Sequence, residues 1–138
     1  PVTLWKTATG DQHLELRLWS TEDSEDYAVG FSADGVRLAV LGGDQVRIWE
    51  LSTCQVLSTI EVPGSEAMIV SPRTNTVATG GHNPATGANV TVWDISSLSC
   101  VREFDGHTQS VSAIAFSADG KLLASGGRDG IANLWRLL

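Results

Sequence analysis

Val111-Ser112-Ala113-Ile114-Ala115-Phe116-Ser117-Ala118-Asp119-Gly120-Lys121-Leu122-Leu123-Ala124-Ser125-Gly126-Gly127-Arg128-Asp129-Gly130-Ile131-Ala132-Asn133-Leu134-Trp135-Arg136 decides the fold. From Val111 to Phe116 the side chains alternate, which is the period of a β-strand. The alternation puts Val111, Ala113 and Ala115 on one side and Ser112, Ile114 and Phe116 on the other. Ser117-Ala118-Asp119-Gly120 reads as a hairpin turn, with glycine supplying a positive φ. Lys121 to Ser125 is a second strand, Gly126 to Gly130 a second turn, and Ile131 to Arg136 a third strand. No segment carries a convincing helical period.

The same pattern recurs along the chain. Phe31-Ser32-Ala33-Asp34-Gly35 repeats as Phe116-Ser117-Ala118-Asp119-Gly120, 85 residues later, with a degenerate copy at Ile69-Val70-Ser71-Pro72-Arg73 between them. Trp5, Trp49, Trp93 and Trp135 give the period independently, at spacings of 44, 44 and 42. Each tryptophan ends a short apolar run: Val2 to Trp5, Val46 to Trp49, Val90 to Trp93 and Ile131 to Trp135. A fourth strand per repeat appears at Cys54 to Ile60 and at Cys100 to Phe104. A fixed period of this length marks a repeat architecture, in which each unit buries its faces against its neighbours.

This pattern resembles the WD-repeat β-propeller family. The resemblance rests on Trp93-Asp94, Gly106-His107, the two Phe-Ser-Ala-Asp-Gly turns and Leu123-Ala124-Ser125-Gly126-Gly127. It covers essentially the whole chain, although the dipeptide varies as Trp5-Lys6, Trp49-Glu50 and Trp135-Arg136. It implies an all-β fold of about three four-stranded antiparallel blades. Residues 1–19 would be the third and fourth strands of a partial repeat. Residues 27–60 and 66–104 would be full repeats, and 106–138 a last repeat lacking its fourth strand. The family also implies a buried hydrogen-bond network, here His107, Ser125, Asp129 and Trp135. The same His, Ser and Asp could be read as a hydrolytic triad, but a structural staple is the expected role. In the first full repeat Val40 replaces the hydroxyl residue; in the second, Thr79 keeps it, and Ser65-Glu66 stands near the histidine position.

Two loops stand out. Thr21-Glu22-Asp23-Ser24-Glu25-Asp26 brings four acidic groups where the family has Gly-His, and the second turn of the middle repeat expands to Gly81–Asn89. The family layout puts both on one rim. Glu22, Asp23, Glu25, Asp26, Asp44, His82, Asn83 and Arg128 are the candidate partner-binding residues. Solvated loops and neutral insertion are the plainer explanations. His82 has no second histidine at ligand spacing, so no metal is expected. Trp19 falls outside the period and ends the alternating run Leu14-Glu15-Leu16-Arg17-Leu18-Trp19, which suits an outermost edge strand.

Sixteen acidic residues against nine basic give a net charge of −7. That balance argues against nucleic-acid or anionic-membrane binding, which need clustered Lys and Arg. No apolar run approaches the ~18 residues of a membrane-spanning helix, and the first residues do not resemble a signal peptide. The chain starts without a methionine, as after trimming or excision. Cys54 and Cys100 occupy similar places in successive repeats, too far apart to bridge. Free thiols point to a reducing, cytoplasmic compartment.

Three blades cannot close a ring. An open arc leaves two apolar faces in water, and each face, on the order of several hundred Å2, forgoes ~25 cal/mol per Å2 of burial. The ring would be closed by copies of the chain or by the rest of a longer protein; an engineered assembly unit is a further alternative. Two chains would give six blades and three chains nine. The expected seam comprises His13, Leu14, Leu16, Leu18 and Trp19 on one side and Ile131 and Leu134 on the other. At that seam Val2 to Lys6 is a surplus third strand. The expected function is a non-catalytic scaffold binding a protein or a basic peptide on the rim, with no cofactor. A propeller hydrolase would need carboxylates or histidines around the axis, where Val111, Ala113 and Ala115 are apolar.

Overall fold

A strand of alternating small and large residues can bury both of its faces only inside a stack of sheets. The computed structural model has this form. It describes residues 2–16, 26–84, 87 and 89–137, with the backbone alone at 13, 14, 16, 26 and 27. The described strands are, in chain order, β1 (Val2–Trp5), β2 (Gln12–Leu16), β3 (Asp26–Phe31), β4 (Arg37–Gly42), β5 (Gln45–Glu50), β6 (Gln55–Glu61), β7 (Ser65–Val70), β8 (Thr76–Gly81), β9 (Val90–Asp94), β10 (Cys100–Phe104), β11 (Val111–Phe116), β12 (Leu122–Gly127) and β13 (Ala132–Arg136). They form antiparallel sheets in sequence order: β1-β2, then β3 to β6, β7 to β10, and β11 to β13. We call the last three the first, second and third blades. Among the described residues no helix is long and apolar enough to cross a membrane.

The hairpins follow from local chemistry. In the first and third blades Gly35 and Gly120 sit at φ +73° and +72°. Asp34 accepts from the Ser32 hydroxyl at 2.6 Å and from the Val36 amide at 3.1 Å. Asp119 repeats this with Ser117 at 2.6 Å and Lys121 at 3.0 Å. The second blade has no glycine there. Its turn is held instead by the Ser71 hydroxyl, which accepts from the Arg73 and Thr74 amides at 3.3 and 3.1 Å.

Each innermost strand carries a register shift near its start, at Asp26/Ala28, Ser65/Ala67 and Val111/Ala113. This bulge corrects the simple alternation expected for β11. The extra residue turns Val111 to the side of Ile114 and Phe116, all three packing against the second blade, while Ala113 and Ala115 stay exposed. Two cysteines also shift place. Cys54 lies in a turn at φ +57°, and its counterpart is Leu98 at φ +58°, not Cys100. The amides of Cys54 and Leu98 both donate, at 2.9 Å, to the carbonyl four residues back. Cys54 and Cys100 are both free and exposed.

Successive blades pack face to face. Ala39, Leu41, Val46 and Ile48 of the first meet Met68, Val70 and Val77 of the second. Ala78, Val90 and Val92 of the second meet Val111 and Leu123 of the third. On the other face of the first blade, Val2 and Leu4 of β1 cover Leu38, Val40 and Trp49. The fit is close: a Cβ at Gly80 would lie 2.6 Å from Val111 Cγ1. Gly80→Ala is therefore expected to destabilise the chain by about 1–3 kcal/mol, as overpacking does. Combined with Val111→Ala it should cost less than the two single losses summed, in urea unfolding midpoints.

Candidate functional site

His107 lies in the loop between β10 and β11 and is buried. Its backbone N–H donates to Asn89 Oδ1 at 3.1 Å. The ring Nδ1 meets the Asp129 carboxylate at 3.1 and 3.2 Å, and Nε2 meets the Ser125 hydroxyl at 2.8 Å. Trp135 Nε1–H donates to the same hydroxyl at 2.9 Å. One proton arrangement satisfies every group: Nδ1–H donates to Asp129, and the Ser125 O–H donates to Nε2. Trp135 also stacks on Phe104, with centroids 4.9 Å apart. Gly106 is required beside it, since a Cβ there would lie 2.7 Å from the Trp135 ring. Ser125 and His107 are both buried, and these bonds tie the loop ahead of β11 to the blade.

Burial alone would raise the Asp129 carboxyl. Bonds from the Ile131 and Thr108 amides and from His107 outweigh it and hold the carboxyl below its usual value of 3.8.

The other blades carry less of this device. In the second, Trp93 Nε1–H donates to Thr79 Oγ1 at 3.1 Å. The loop ahead of β7 is shorter than the one ahead of β11, and Ser65 and Glu66 do not stand in for His107. Ser65 is the counterpart of Val111 in β11, each pairing with the last glycine of the neighbouring strand. A small pocket opens beside Thr79, Thr91 and Trp93, with Ser65, His82 and Asn83 along its lining. In the first blade Val40 stands where Thr79 and Ser125 stand. The buried Trp49 Nε1 has no hydrogen-bond partner among the described residues.

The loops after β4, β8 and β12 and those ahead of β7 and β11 share one rim. Asp44 Oδ1 accepts from Gly64 N–H at 3.0 Å, and the His82 and Arg128 amides donate to Gly64 and Ser110 at 3.0 and 2.9 Å. Asp44, Glu61, Glu66 and Asp105 are exposed here. Arg128 is tied to Glu66 of the neighbouring blade at 2.8 Å. Both side chains face solvent, so the pair is worth about 0.2–1 kcal/mol. His82 is exposed and Asn83 half-buried. Glu22, Asp23, Glu25, Leu18 and Trp19 lie outside the described residues, as do the side chains of Asp26, His13, Leu14 and Leu16. The backbone of Asp26 opens β3 at this rim, opposite Gly42. Ile131 ends the rim loop after β12, where its amide donates to Asp129 Oδ1 at 3.0 Å, and Leu134 lies within β13; both are exposed.

Residues 98–136 match the family model of the WD domain, G-beta repeat. The chain is also 30% identical over 107 residues to Protein groucho of Drosophila melanogaster, a match covering 73% of this chain and 14% of that relative. Sheet order, staple and sequence match agree that this chain carries WD repeats and that its sheets are β-propeller blades.

Four substitutions test the staple and its weaker counterparts. Ser125→Ala leaves Trp135 Nε1 and His107 Nε2 unpaired, at about 1–3 kcal/mol per orphaned group. Val40→Thr offers the Trp49 N–H an acceptor and should leave the melting temperature unchanged or higher. Val77→Thr, which puts a hydroxyl at a fully buried apolar position, should lower stability by about 1–3 kcal/mol. Because the Asp129 carboxyl is lowered, its stabilisation is full above the usual 3.8 and is lost as pH falls below it. The stability gap between wild type and Asp129→Asn should be constant near neutrality and shrink in that acid window.

Proposed function

We propose that this chain is a non-catalytic interaction scaffold that binds a basic peptide or protein segment on its acidic rim. The observation that carries the proposal is the gathering of Asp44, Glu61, Glu66 and Asp105 on one rim, next to the point where the acidic run Glu22 to Asp26 leads into β3. Such a surface favours positive partners by long-range attraction and repels nucleic acid. The WD-repeat match and the similarity to Protein groucho support an interaction role over a catalytic one.

The scaffold associates with copies of itself, two for a six-bladed ring or three for nine, because both outer blade faces expose apolar residues. Two free, exposed cysteines suit a reducing, cytoplasmic setting.

Fluorescence anisotropy with a labelled Lys/Arg-rich peptide tests the rim. Binding should weaken at least about tenfold on replacing Glu22, Asp23, Glu25 and Asp26 by their amides, a loss of 1.4 kcal/mol or more. It should also fall steeply with salt. Binding that ignores both changes would remove the basic partner.

A further inference from the structure

In the inner strands one set of positions is mostly small, with Ile69 the exception, and the other set is large. By position in the repeat, Ala28 and Gly30 of β3 correspond to Ala67 and Ile69 of β7 and to Ala113 and Ala115 of β11. These residues face the following blade. Val29 and Phe31 correspond to Met68 and Val70 and to Ile114 and Phe116, which face the preceding blade. Inside the stack the two sets meet. A Cβ at Gly30 would lie 3.1 Å from Val70, and Ile69 packs in the same cluster as Ile114 and Phe116. At the ends they do not. Val29 and Phe31 are 54% and 56% exposed, whereas Met68 and Val70 are at 8%. Ala113 and Ala115 are exposed as well. The first face is thus the large half of an internal contact, and the last face is the small half.

A second observation concerns the third strands. Val2 and Leu4 of β1 hold the places relative to Trp5 that Ala132 and Leu134 of β13 hold relative to Trp135. Leu134 is 68% exposed, while Leu4 is half-buried over Leu38, Val40 and Trp49. The β1-β2 hairpin therefore lies on the first blade where the β13 of a preceding blade would lie.

We infer that the last blade of one copy seats on the first blade of another, with Ala113 and Ala115 beneath Val29 and Phe31, and with Leu134 replacing Leu4 over Leu38, Val40 and Trp49. The inference rests on the self-association proposed above and assigns its seam. Of the two competing third strands, β1 gives way. Strand β13 is held by the Trp135–Ser125 bond, the Phe104 stack and a 3.2 Å bond from Asn133 to the Gly106 carbonyl. Among the described residues strand β1 pairs with β2 alone, and its Trp5 is exposed. The hairpin is thus a cap that a second copy displaces. The contact is head-to-tail, so it closes a ring or propagates.

Light scattering of the full chain across a concentration series tests this. Ala115→Arg blocks the small face and Phe31→Asp the large face; both sites are exposed, and far-UV circular dichroism checks the fold. Wild type should associate, and each variant alone should be monomeric where wild type is not. Mixing the two variants should restore association, because each retains one intact face; a misfolded variant could not do this. Leu4→Asp, which loosens the cap, should associate at about tenfold lower concentration, a shift of 1.4 kcal/mol. Wild type and Leu4→Asp both monomeric throughout would overturn self-association itself. Association that survives both face substitutions would overturn this seam and leave self-association standing. Loss in both variants without restoration on mixing would overturn the head-to-tail geometry.

Discussion

A four-stranded blade has two apolar faces, and neither is stable in water. The rest of the molecule depends on this constraint. Leu41, Val46 and Ile48 on one face of the first blade, and Leu38 and Val40 on the other, are all fully or nearly buried because something covers each side. Burial of this kind is worth roughly 1.5–3 kcal/mol for each large side chain. A repeat array meets the constraint by making every blade the cover of the next. The small-to-large pairing at Gly30 and Val70, or Gly80 and Val111, lets twisted sheets come close enough to exclude water.

Polar groups trapped between the blades then need partners. The third blade satisfies them with a full chain from Trp135 through Ser125 and His107 to Asp129. The second keeps the Trp93–Thr79 bond. The first has Val40 at the hydroxyl's station and an indole N–H without a partner among the described residues. These three solutions share one backbone geometry, since Leu38, Val77 and Leu123 pair with Trp49, Trp93 and Trp135 in the same register. Packing fixes the architecture, and hydrogen bonding tunes how firmly each loop is tied to it.

Much of this was legible in the sequence because it is local or periodic. The Ser-Ala-Asp-Gly turns declare themselves by the carboxylate that closes them and by a glycine with positive φ. The tryptophan spacing sets the repeat, and His107, Ser125, Asp129 and Trp135 meet because a repeat places them at fixed stations. What was hidden depends on single-residue offsets. The bulge between Val111 and Ala113 reverses which side Val111 faces, and strict alternation cannot show it. The left-handed turn at Cys54 and Leu98 displaces Cys100 from the station its spacing suggests. A shortened loop takes Ser65 and Glu66 away from the histidine position. The acidity of the rim was visible as composition, whereas the tie between Arg128 and Glu66 spans 62 residues and needed the stacked blades to appear.

The uneven cover of the blades grades their stability. Local opening is easiest where few apolar contacts are buried and polar groups lack partners. The first blade has a Trp49 N–H without a partner among the described residues and a cover of four residues in β1. The third blade has the full staple, but its outer face is open at Ala113, Ala115 and Leu134. The second blade is packed on both faces. Amide protons should therefore exchange most slowly in β8 and β9, and faster toward either end of the stack.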